Sequence, residues 1–166
     1  YVIGLDIGTT GTKALLMDDS GAVLGKGYQG YALLANGSHV EQDANEWVGA
    51  SIAAIRAAIS GNEHLTIEGI SVSSQGASMA AVDRAGKPIG NALTWMDTRA
   101  SEQAAKLERA LGNDYVYHMG GWRIFPTLDA AKILYLRETG ACPSAAKYLS
   151  TIEIVNEFLT GRAVID

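Results

Sequence analysis

A carboxylate, a glycine- and threonine-rich turn and a lysine follow one another within residues 6–13, DIGTTGTK. Glycines let the backbone approach a ligand closely, and successive N–H groups in such a turn form a concavity that binds anions. The threonine hydroxyls add hydrogen-bond donors, and the lysine adds a point charge suited to phosphate. We therefore predict phosphate binding here; a glycine-rich hairpin with a surface lysine is the alternative. The predicted phosphate-binding residues are Gly8, Thr9, Thr10, Gly11, Thr12 and Lys13.

Asp6 lies at the end of the strand-like run that precedes this turn. A carboxylate has the wrong charge to bind phosphate directly, whereas Mg²⁺ takes carboxylates together with phosphate oxygens. We therefore predict that Asp6 binds Mg²⁺ or its hydration shell. The pattern is neither a Walker P-loop nor a dinucleotide fingerprint, because both require a helix directly after the glycines. Here the β-like run TKALLMD (12–18) follows instead.

Three strand-like runs surround the turn and must position it. Residues 1–7 (YVIGLDI) and 12–18 are apolar and β-rich, and their connection is short enough for a hairpin. After a second turn at 18–21, residues 22–31 have the pattern of a third strand. Three consecutive strands with short loops predict an antiparallel meander.

The hydrophobic period then changes from that of a strand to that of a helix. Asp43 is a candidate helix N-cap, with Glu46 as its capping-box partner. Apolar residues follow at helical spacing and predict the buried face of the helix. They are Val48, Ile52, Ile55 and Ile59.

The rest of the chain alternates between the two patterns. Strand-like segments cover residues 67–74, 78–83 and 92–95, and helical segments cover 98–111, 126–137 and 152–159. Pro126 is expected to open the second of these helices. Strands come first and then alternate with helices, so the predicted class is α/β with a mixed sheet. The aromatic residues expected in the core are Trp47, Tyr115, Tyr117 and Trp122.

Composition narrows the possible functions. The chain has 166 residues, with 13 Lys+Arg against 18 Asp+Glu and a formal net charge of −5. This acidic balance argues against a nucleic-acid-binding surface, and no apolar run reaches the roughly 20 residues of a membrane-spanning helix. The length fits one domain, and the single cysteine, Cys142, fits a reducing compartment such as the cytoplasm.

Four segments, in order, resemble the amino-terminal domain of the FGGY family of carbohydrate kinases, which includes xylulokinases, gluconokinases and glycerol kinases. The resemblance covers essentially the whole chain, so residues 1–166 are interpreted as that domain, without the family's carboxy-terminal domain. The segments are GLDIGTTGTKALLMD (4–18), VEQDANEW (40–47), ISVSSQGASMAAVDRAGKPIGNALTWMDTRA (70–100) and YLSTIEIVNEFLTGRAVID (148–166).

The resemblance implies an actin-like ATPase (ribonuclease-H-like) domain, with a mixed five-stranded sheet and flanking helices. It implies ATP and Mg²⁺ as cofactors, and transfer of the ATP γ-phosphoryl group to a hydroxyl of a sugar or polyol. A pentulose such as xylulose is the leading expectation, on its frequency in the family. The family's catalytic Asp lies in the carboxy-terminal domain, so no catalytic base is expected in residues 1–166. That domain is the expected partner, and a homodimer is one expected form of the full-length protein.

The third segment resembles the part of the family that lines the sugar pocket. Sugar binding requires polar groups that form hydrogen bonds with the hydroxyls, beside an apolar or aromatic face that packs on the ring carbons. Trp95 can stack on the sugar, whereas Asp97 can read hydroxyls, pair with Arg99, or cap a helix near residue 98. Where family subgroups carry larger side chains, this chain has small residues at 76 and 77, which leave room for a larger or differently oriented sugar. The predicted substrate-binding residues are Gln75, Gly76, Ala77, Ser78, Trp95 and Asp97.

Two other functions stay open at the level of sequence. An actin-like ATPase that does not act on sugars would share the glycine hairpin, but it would not explain Trp95-x-Asp97-x-Arg99. A non-catalytic sugar-binding domain derived from a kinase would suit the small residues at 76–77. An Asp base and adenosine-binding glycines in a carboxy-terminal half would favour the kinase.

We expect the 166-residue chain by itself to phosphorylate no sugar, because the resemblance places the catalytic base in another domain. The measurement is a coupled ADP-release assay with ATP, Mg²⁺ and a panel of pentuloses, hexoses, gluconate and glycerol. Turnover of any of these compounds by the purified chain would contradict the expectation.

Overall fold

The computed structural model describes residues 1–164. The chain divides into two compact units. Unit 1 comprises Tyr1–Leu33, Asp43–Gly76 and the segment from Leu149 onward, and unit 2 comprises Leu34–Gln42 and Ala77–Tyr148. In chain order the elements are β1 (Val2–Ile7), β2 (Gly11–Met17), β3 (Val23–Gly30), β4 (Leu34–Asn36), β5 (His39–Gln42), α1 (Ala44–Ile59), β6 (Gly69–Ser74), β7 (Met79–Val82), β8 (Ala92–Leu93), α2 (Ser101–Leu111), α3 (Asn113–Gly120), α4 (Asp129–Thr139), β9 (Lys147–Ser150) and α5 (Thr151–Thr160).

Unit 1 is built on a four-stranded sheet in the order β3-β2-β1-β6. The first three strands pair antiparallel, and β6 pairs parallel to β1. The predicted meander and mixed sheet are therefore confirmed, although the described residues place four strands in this sheet and not five. Parallel pairing requires a long crossover connection, and α1 lies in that connection.

β1 and β2 bury alternate side chains on one face of this sheet. Successive side chains of a strand point to opposite faces, so a buried row on one face leaves a second row on the other. Asp6 and Lys13 lie on that second face and are exposed. The residues of the buried row pair across the two strands, Ile3 with Leu16, Leu5 with Ala14 and Ile7 with Thr12.

The first helix begins where the sequence predicts but buries a different face. The Asp43 carboxylate accepts a hydrogen bond from the backbone N–H of Asn45 at 2.9 Å, which caps α1. The stripe of valine and isoleucines predicted to be buried is only half-buried. Small residues and one tryptophan face the core instead. They are Ala44, Trp47, Ala50, Ser51, Ala54 and Ala58.

Unit 2 contains a second sheet, in the order β4-β5-β8-β7-β9, which extends to the first residues of β9. Its β4–β5 hairpin was not predicted from the sequence, because these short strands are mostly exposed and lack a buried alternating face. Two clusters of buried residues form its core. They are Met79, Ala81, Leu93 and Leu136 in one, and Ala100, Ala104, Ile124 and Ala131 in the other.

Helix boundaries in unit 2 depart from the sequence expectation. α2 begins at Ser101, three residues after the predicted start. α4 begins at Asp129 and not at Pro126, because a turn intervenes, in which the backbone N–H of Leu128 donates to the carbonyl of Phe125 at 3.0 Å. α3 was not predicted; it follows α2 directly after Gly112, which adopts a positive φ of 79°.

The four aromatic residues expected in the core divide into two groups. Trp47 is fully buried, as predicted. Tyr115, Tyr117 and Trp122 are 57%, 51% and 69% exposed, so their assignment to the core was wrong. The reason is that they lie on or just after α3, a short helix that buries none of its residues.

The helices are short, and α1 and α5 begin with side-chain caps. α1 has 16 residues and α5 has 10. A capping box opens α5, in which the backbone N–H of Ser150 donates to the Glu153 carboxylate at 2.6 Å. Within residues 1–164, no helix is long and apolar enough to cross a lipid bilayer.

The packing of α1 on β3 depends on two glycines. A Cβ atom placed on Gly25 would lie 1.9 Å from the carbonyl oxygen of Ala58, and one on Gly27 would lie 1.9 Å from that of Ala54. No side chain fits at such distances. The helix therefore approaches the strand closely because both strand positions lack a Cβ and because the facing helix residues are alanines.

We expect Gly25→Ala and Gly27→Ala to lower the free energy of unfolding by about 1–3 kcal/mol each, since overpacking a well-packed contact costs about that much. Urea denaturation of the 166-residue chain measures the change. Gly49→Ala is the matched control: this helix position has open space around a Cβ, and alanine is favoured over glycine in helices by about 0.8–1 kcal/mol. Equal stability of the wild type and both strand variants would contradict the packing argument.

Candidate functional site

Two tyrosines fix the glycine turn between β1 and β2. The Tyr31 hydroxyl donates to the carbonyl of Gly8, and the Tyr28 hydroxyl donates to the carbonyl of Thr10 at 3.1 Å. The turn is also closed internally, because the backbone N–H of Gly8 donates to the carbonyl of Gly11 at 3.1 Å. Sequence reasoning did not single out either tyrosine. Their role depends on the register of β3 against β2, which the sequence pattern of the predicted meander does not give.

Burial makes Tyr31 a stable donor to this turn. Burial raises the pKa of Tyr31 to about 12, and the negative charge of Asp6 acts in the same direction. The phenol therefore stays protonated through the physiological pH range and continues to donate to the Gly8 carbonyl.

The two glycines of the hairpin differ in how much space a side chain would find there. A Cβ on Gly11 would lie 2.6 Å from the Tyr28 hydroxyl oxygen and 2.7 Å from the Gln29 carbonyl, so no side chain fits. A Cβ on Gly8 would lie 3.4 Å from the Gly11 carbonyl, an ordinary contact. Gly11 is thus required by packing against β3 as well as being a candidate for ligand approach.

The sheet register places Asp6 and Lys13 directly opposite each other. On the same exposed face, Lys13 pairs with Tyr28 of β3, and Asp6 pairs with Ser73 of β6. One polar row, Ser73-Asp6-Lys13-Tyr28, therefore crosses all four strands. Thr12 points the other way and is fully buried, so its hydroxyl is separated from this row by the sheet.

The donor set on this face fits Mg²⁺ that arrives with a phosphate ligand. Within the described residues, no group of three or more His, Cys, Asp or Glu side chains could bind a metal ion. Mg²⁺ is commonly bound by one or two carboxylates plus substrate phosphates, so the single exposed carboxylate of Asp6 is a suitable protein ligand. Lys13, on the neighbouring strand, would contact the phosphate charge.

The predicted sugar-binding residues lie partly in each unit. In unit 1, Gln75 continues β6 alongside β1, since its backbone N–H donates to the carbonyl of Ile7 at 2.8 Å, and Gly76 has open space where a side chain would be. In unit 2, the Ser78 hydroxyl is buried and accepts a hydrogen bond from the backbone N–H of Trp95 at 3.0 Å. The Trp95 side chain is 46% exposed.

Asp97 is the centre of a buried ionic network in unit 2. Its carboxylate is fully buried and accepts from the backbone N–H of Val40 at 2.8 Å and from the Arg99 guanidinium at 2.6 Å. Arg99 also binds Glu41 at 2.6 Å and lies 5.9 Å from the Tyr135 ring centroid. Of the three roles left open by the sequence, pairing with Arg99 is observed. The helix-capping role is wrong, because α2 begins at Ser101 with no side-chain cap. Contact of Asp97 with substrate stays a prediction.

Glu41 completes this network, and sequence reasoning missed it as a partner of Arg99. Burial acts to raise the pKa of Glu41, but hydrogen bonds from Asn91 and Arg99 outweigh it and lower the pKa. The carboxylate is therefore ionised at neutral pH and contributes an attractive charge. Its stabilising contribution is present above the pKa of the unfolded chain and is lost as the pH falls through the lowered value.

We expect Asp97→Ala to lower the free energy of unfolding by about 3 kcal/mol or more, because it removes a buried ion pair, leaves only Glu41 to compensate the Arg99 guanidinium and leaves the Val40 N–H without its acceptor. Glu102→Ala is the control, since it removes a surface ion pair with Lys106 in the same unit and is expected to cost less than about 1 kcal/mol. Urea denaturation at neutral pH measures both. Similar losses for the two variants would contradict a structural role for Asp97.

Comparisons with known proteins give the family directly. The model of the FGGY family of carbohydrate kinases, N-terminal domain, matches residues 1–166. The gluconokinase of Bacillus subtilis (strain 168) is 32% identical over 169 residues, which cover 100% of this chain and 33% of that protein. The xylulose kinase of Staphylococcus xylosus is 28% identical over 142 residues, which cover 82% of this chain and 29% of that protein. The chain thus spans about a third of the length of the curated relatives it matches.

Solved structures agree on the fold. The gluconate kinase of Lactobacillus acidophilus superposes with a TM-score of 0.86 at 26% identity, covering 99% of this chain and 34% of that one. The xylulose kinase of Rhodospirillum rubrum superposes with a TM-score of 0.92 at 24% identity, covering 99% and 35%. The predicted actin-like α/β fold is thereby confirmed. The chain belongs to the FGGY family of carbohydrate kinases, of which it matches the N-terminal domain.

Proposed function

We propose that this domain is the phosphate-binding and sugar-binding lobe of an ATP-dependent carbohydrate kinase. The observation that carries the proposal is the pairing of Asp6 with Lys13 on one exposed face, beside a glycine turn fixed by tyrosines. This pair combines a Mg²⁺ ligand with a phosphate-binding cation. The family match over the whole chain supports the same reaction class.

The residues of the turn contribute position and charge. Phosphoryl transfer requires mainly alignment of the groups and stabilisation of the charge on the transferred phosphoryl. Bound ATP with Mg²⁺ would supply the γ-phosphoryl group. Lys13 would bind phosphate oxygens, Asp6 would bind the metal ion or its water, and the backbone of residues 8–11 would approach the phosphates closely. The base that accepts the sugar hydroxyl proton is expected in a carboxy-terminal domain.

The substrate is proposed to be a sugar with a carbon face for Trp95. A pentulose such as xylulose is the leading choice, and gluconate is the main competitor because both gluconate and xylulose kinases are among the relatives. Small residues at Gly76 and Ala77 favour a larger or differently oriented sugar over glycerol. A homodimer of the full-length protein and a cytoplasmic location stay predictions.

In the enzyme with its carboxy-terminal domain, we expect Lys13→Met to lower kcat/KM for ATP by roughly 10–100-fold, the equivalent of a charged hydrogen bond of about 1.5–3 kcal/mol. The KM for the sugar should change less than about twofold. Lys26→Met is the matched control, since Lys26 is an exposed lysine on the neighbouring strand β3. Steady-state kinetics at varied ATP and sugar concentrations measure kcat/KM for ATP and the KM for the sugar in both variants. Equal effects of the two substitutions would contradict phosphate binding by Lys13.

We expect the same enzyme to prefer a pentulose or gluconate to glycerol. We also expect Trp95→Ala to raise the KM for the preferred substrate about tenfold or more, because loss of the indole removes the apolar face on which the substrate stacks. The KM for ATP should be unaffected. A substrate panel with the wild type identifies the sugar first. Preference for glycerol over all pentoses and hexoses would contradict the proposal on substrate size.

A further inference from the structure

Lys132 is a fully buried lysine that no part of the proposed reaction uses. It lies on α4, and its ammonium donates to the carbonyl oxygen of Ala77 at 2.5 Å. Lysine is almost never fully buried unless it is paired. The ammonium therefore has a specific structural partner 55 residues away, and that partner belongs to the predicted sugar-binding segment.

Ala77 has an unusual backbone conformation. Its φ is +50°, and within the described residues it is the one non-glycine position with a positive φ. A Cβ disfavours this left-handed region, so such residues persist only where the surrounding structure fixes them, and they cluster at ligand-binding sites. The hydrogen bond from Lys132 acts on the carbonyl of this residue and can supply that constraint.

The residue after Ala77 is fixed as well. The buried Ser78 hydroxyl accepts from the backbone N–H of Trp95. The Ala77-Ser78 segment is thus bound on one side by Lys132 and on the other by the backbone next to the exposed indole of Trp95. A shift of Ala77 would move Ser78 and, through the hydrogen bond between Ser78 and the Trp95 backbone, Trp95 as well.

Charged groups around Lys132 leave its ammonium protonated at neutral pH. The carboxylate of Asp129, one turn earlier on α4, lies 3.8 Å away. Burial lowers the pKa of Lys132 to about 8; Asp129 and Asp97 act to raise the pKa, and Arg99 acts to lower it. Since this value is above neutral pH, the ammonium predominates and its hydrogen bond to Ala77 is charge-assisted.

We propose that Lys132 is a positioning residue for sugar binding, which fixes the left-handed backbone of Ala77 and, through Ser78, the place of Trp95. This inference rests on the proposed function, since it assumes that Ala77, Ser78 and Trp95 bind a sugar. Lys132 itself is buried and contacts no substrate. Its effect is therefore on affinity for the sugar and not on ATP.

The test uses the enzyme with its carboxy-terminal domain and four variants: Lys132→Met, Lys132→Arg, Ala77→Gly and the double variant Lys132→Met/Ala77→Gly. Lys132→Met removes the donor, and we expect it to raise the KM for the sugar at least tenfold with less than a twofold change in the KM for ATP. Lys132→Arg keeps a charged donor and should restore most of the affinity. Ala77→Gly provides a second background in which the effect of Lys132→Met is measured, and its own sugar KM is the reference there.

The double variant separates positioning from general stabilisation. Glycine adopts a positive φ without a steric penalty, so the left-handed turn needs less external constraint. We therefore expect Lys132→Met to raise the sugar KM less than threefold when Ala77 is replaced by Gly. A merely structural lysine would give the same effect in both backgrounds. Lys106→Met is the control, because Lys106 is another ion-paired lysine of unit 2, on the surface of α2.

Hydrogen–deuterium exchange gives a readout that does not require activity. In Lys132→Met, peptides that span residues 75–79 should exchange at least tenfold faster than in the wild type, with Lys106→Met unchanged. Unchanged exchange, or an unchanged sugar KM in an active enzyme, would overturn the proposal. If the wild type phosphorylates no sugar, the proposed function fails, and the exchange result still decides whether Lys132 fixes Ala77.

Discussion

The antiparallel register between β1 and β2 determines which side chains of unit 1 can act together. Leu5 pairs with Ala14 on the buried face, and the next pair along, Asp6 with Lys13, lies on the exposed face. A slip of one residue would exchange the faces of the slipped strand and turn a charged side chain toward the core. The apolar core thus enforces the position of the candidate phosphate site, and the polar row is a consequence of the same pairing.

A second constraint is the close approach of β3 to its neighbours. Gly25 and Gly27 admit the backbone of α1, and Gly11 admits the ring of Tyr28. These contacts fix β3 on both of its sides, so Tyr28 and Tyr31 reach the carbonyls of the glycine turn. Gly11, Gly25 and Gly27 therefore serve packing first, and this packing fixes the shape of the turn.

In unit 2, buried charged side chains hold the backbone of the candidate sugar-binding residues in place. Asp97 and Arg99 form a network with Glu41, and Lys132 binds the carbonyl of Ala77. Buried charges that are well paired are costly to disturb, so they specify one local arrangement. Exposed Trp95 is thereby presented from a fixed backbone, which is what recognition of a small polar ligand requires.

Local signals in the sequence determined much of this protein: the hairpin glycines, the apolar, β-rich run of β1, the Asp43 cap of α1 and the four family segments. Contacts between distant residues were decided only by the tertiary structure. The buried face of α1 follows alanines and not isoleucines, because β3 presents glycines to it. Likewise, Lys132 meets Ala77 across 55 residues, and Asp97 meets Val40 across 57. Such pairs depend on how strands and helices pack, and no periodicity or spacing in one sequence encodes that geometry.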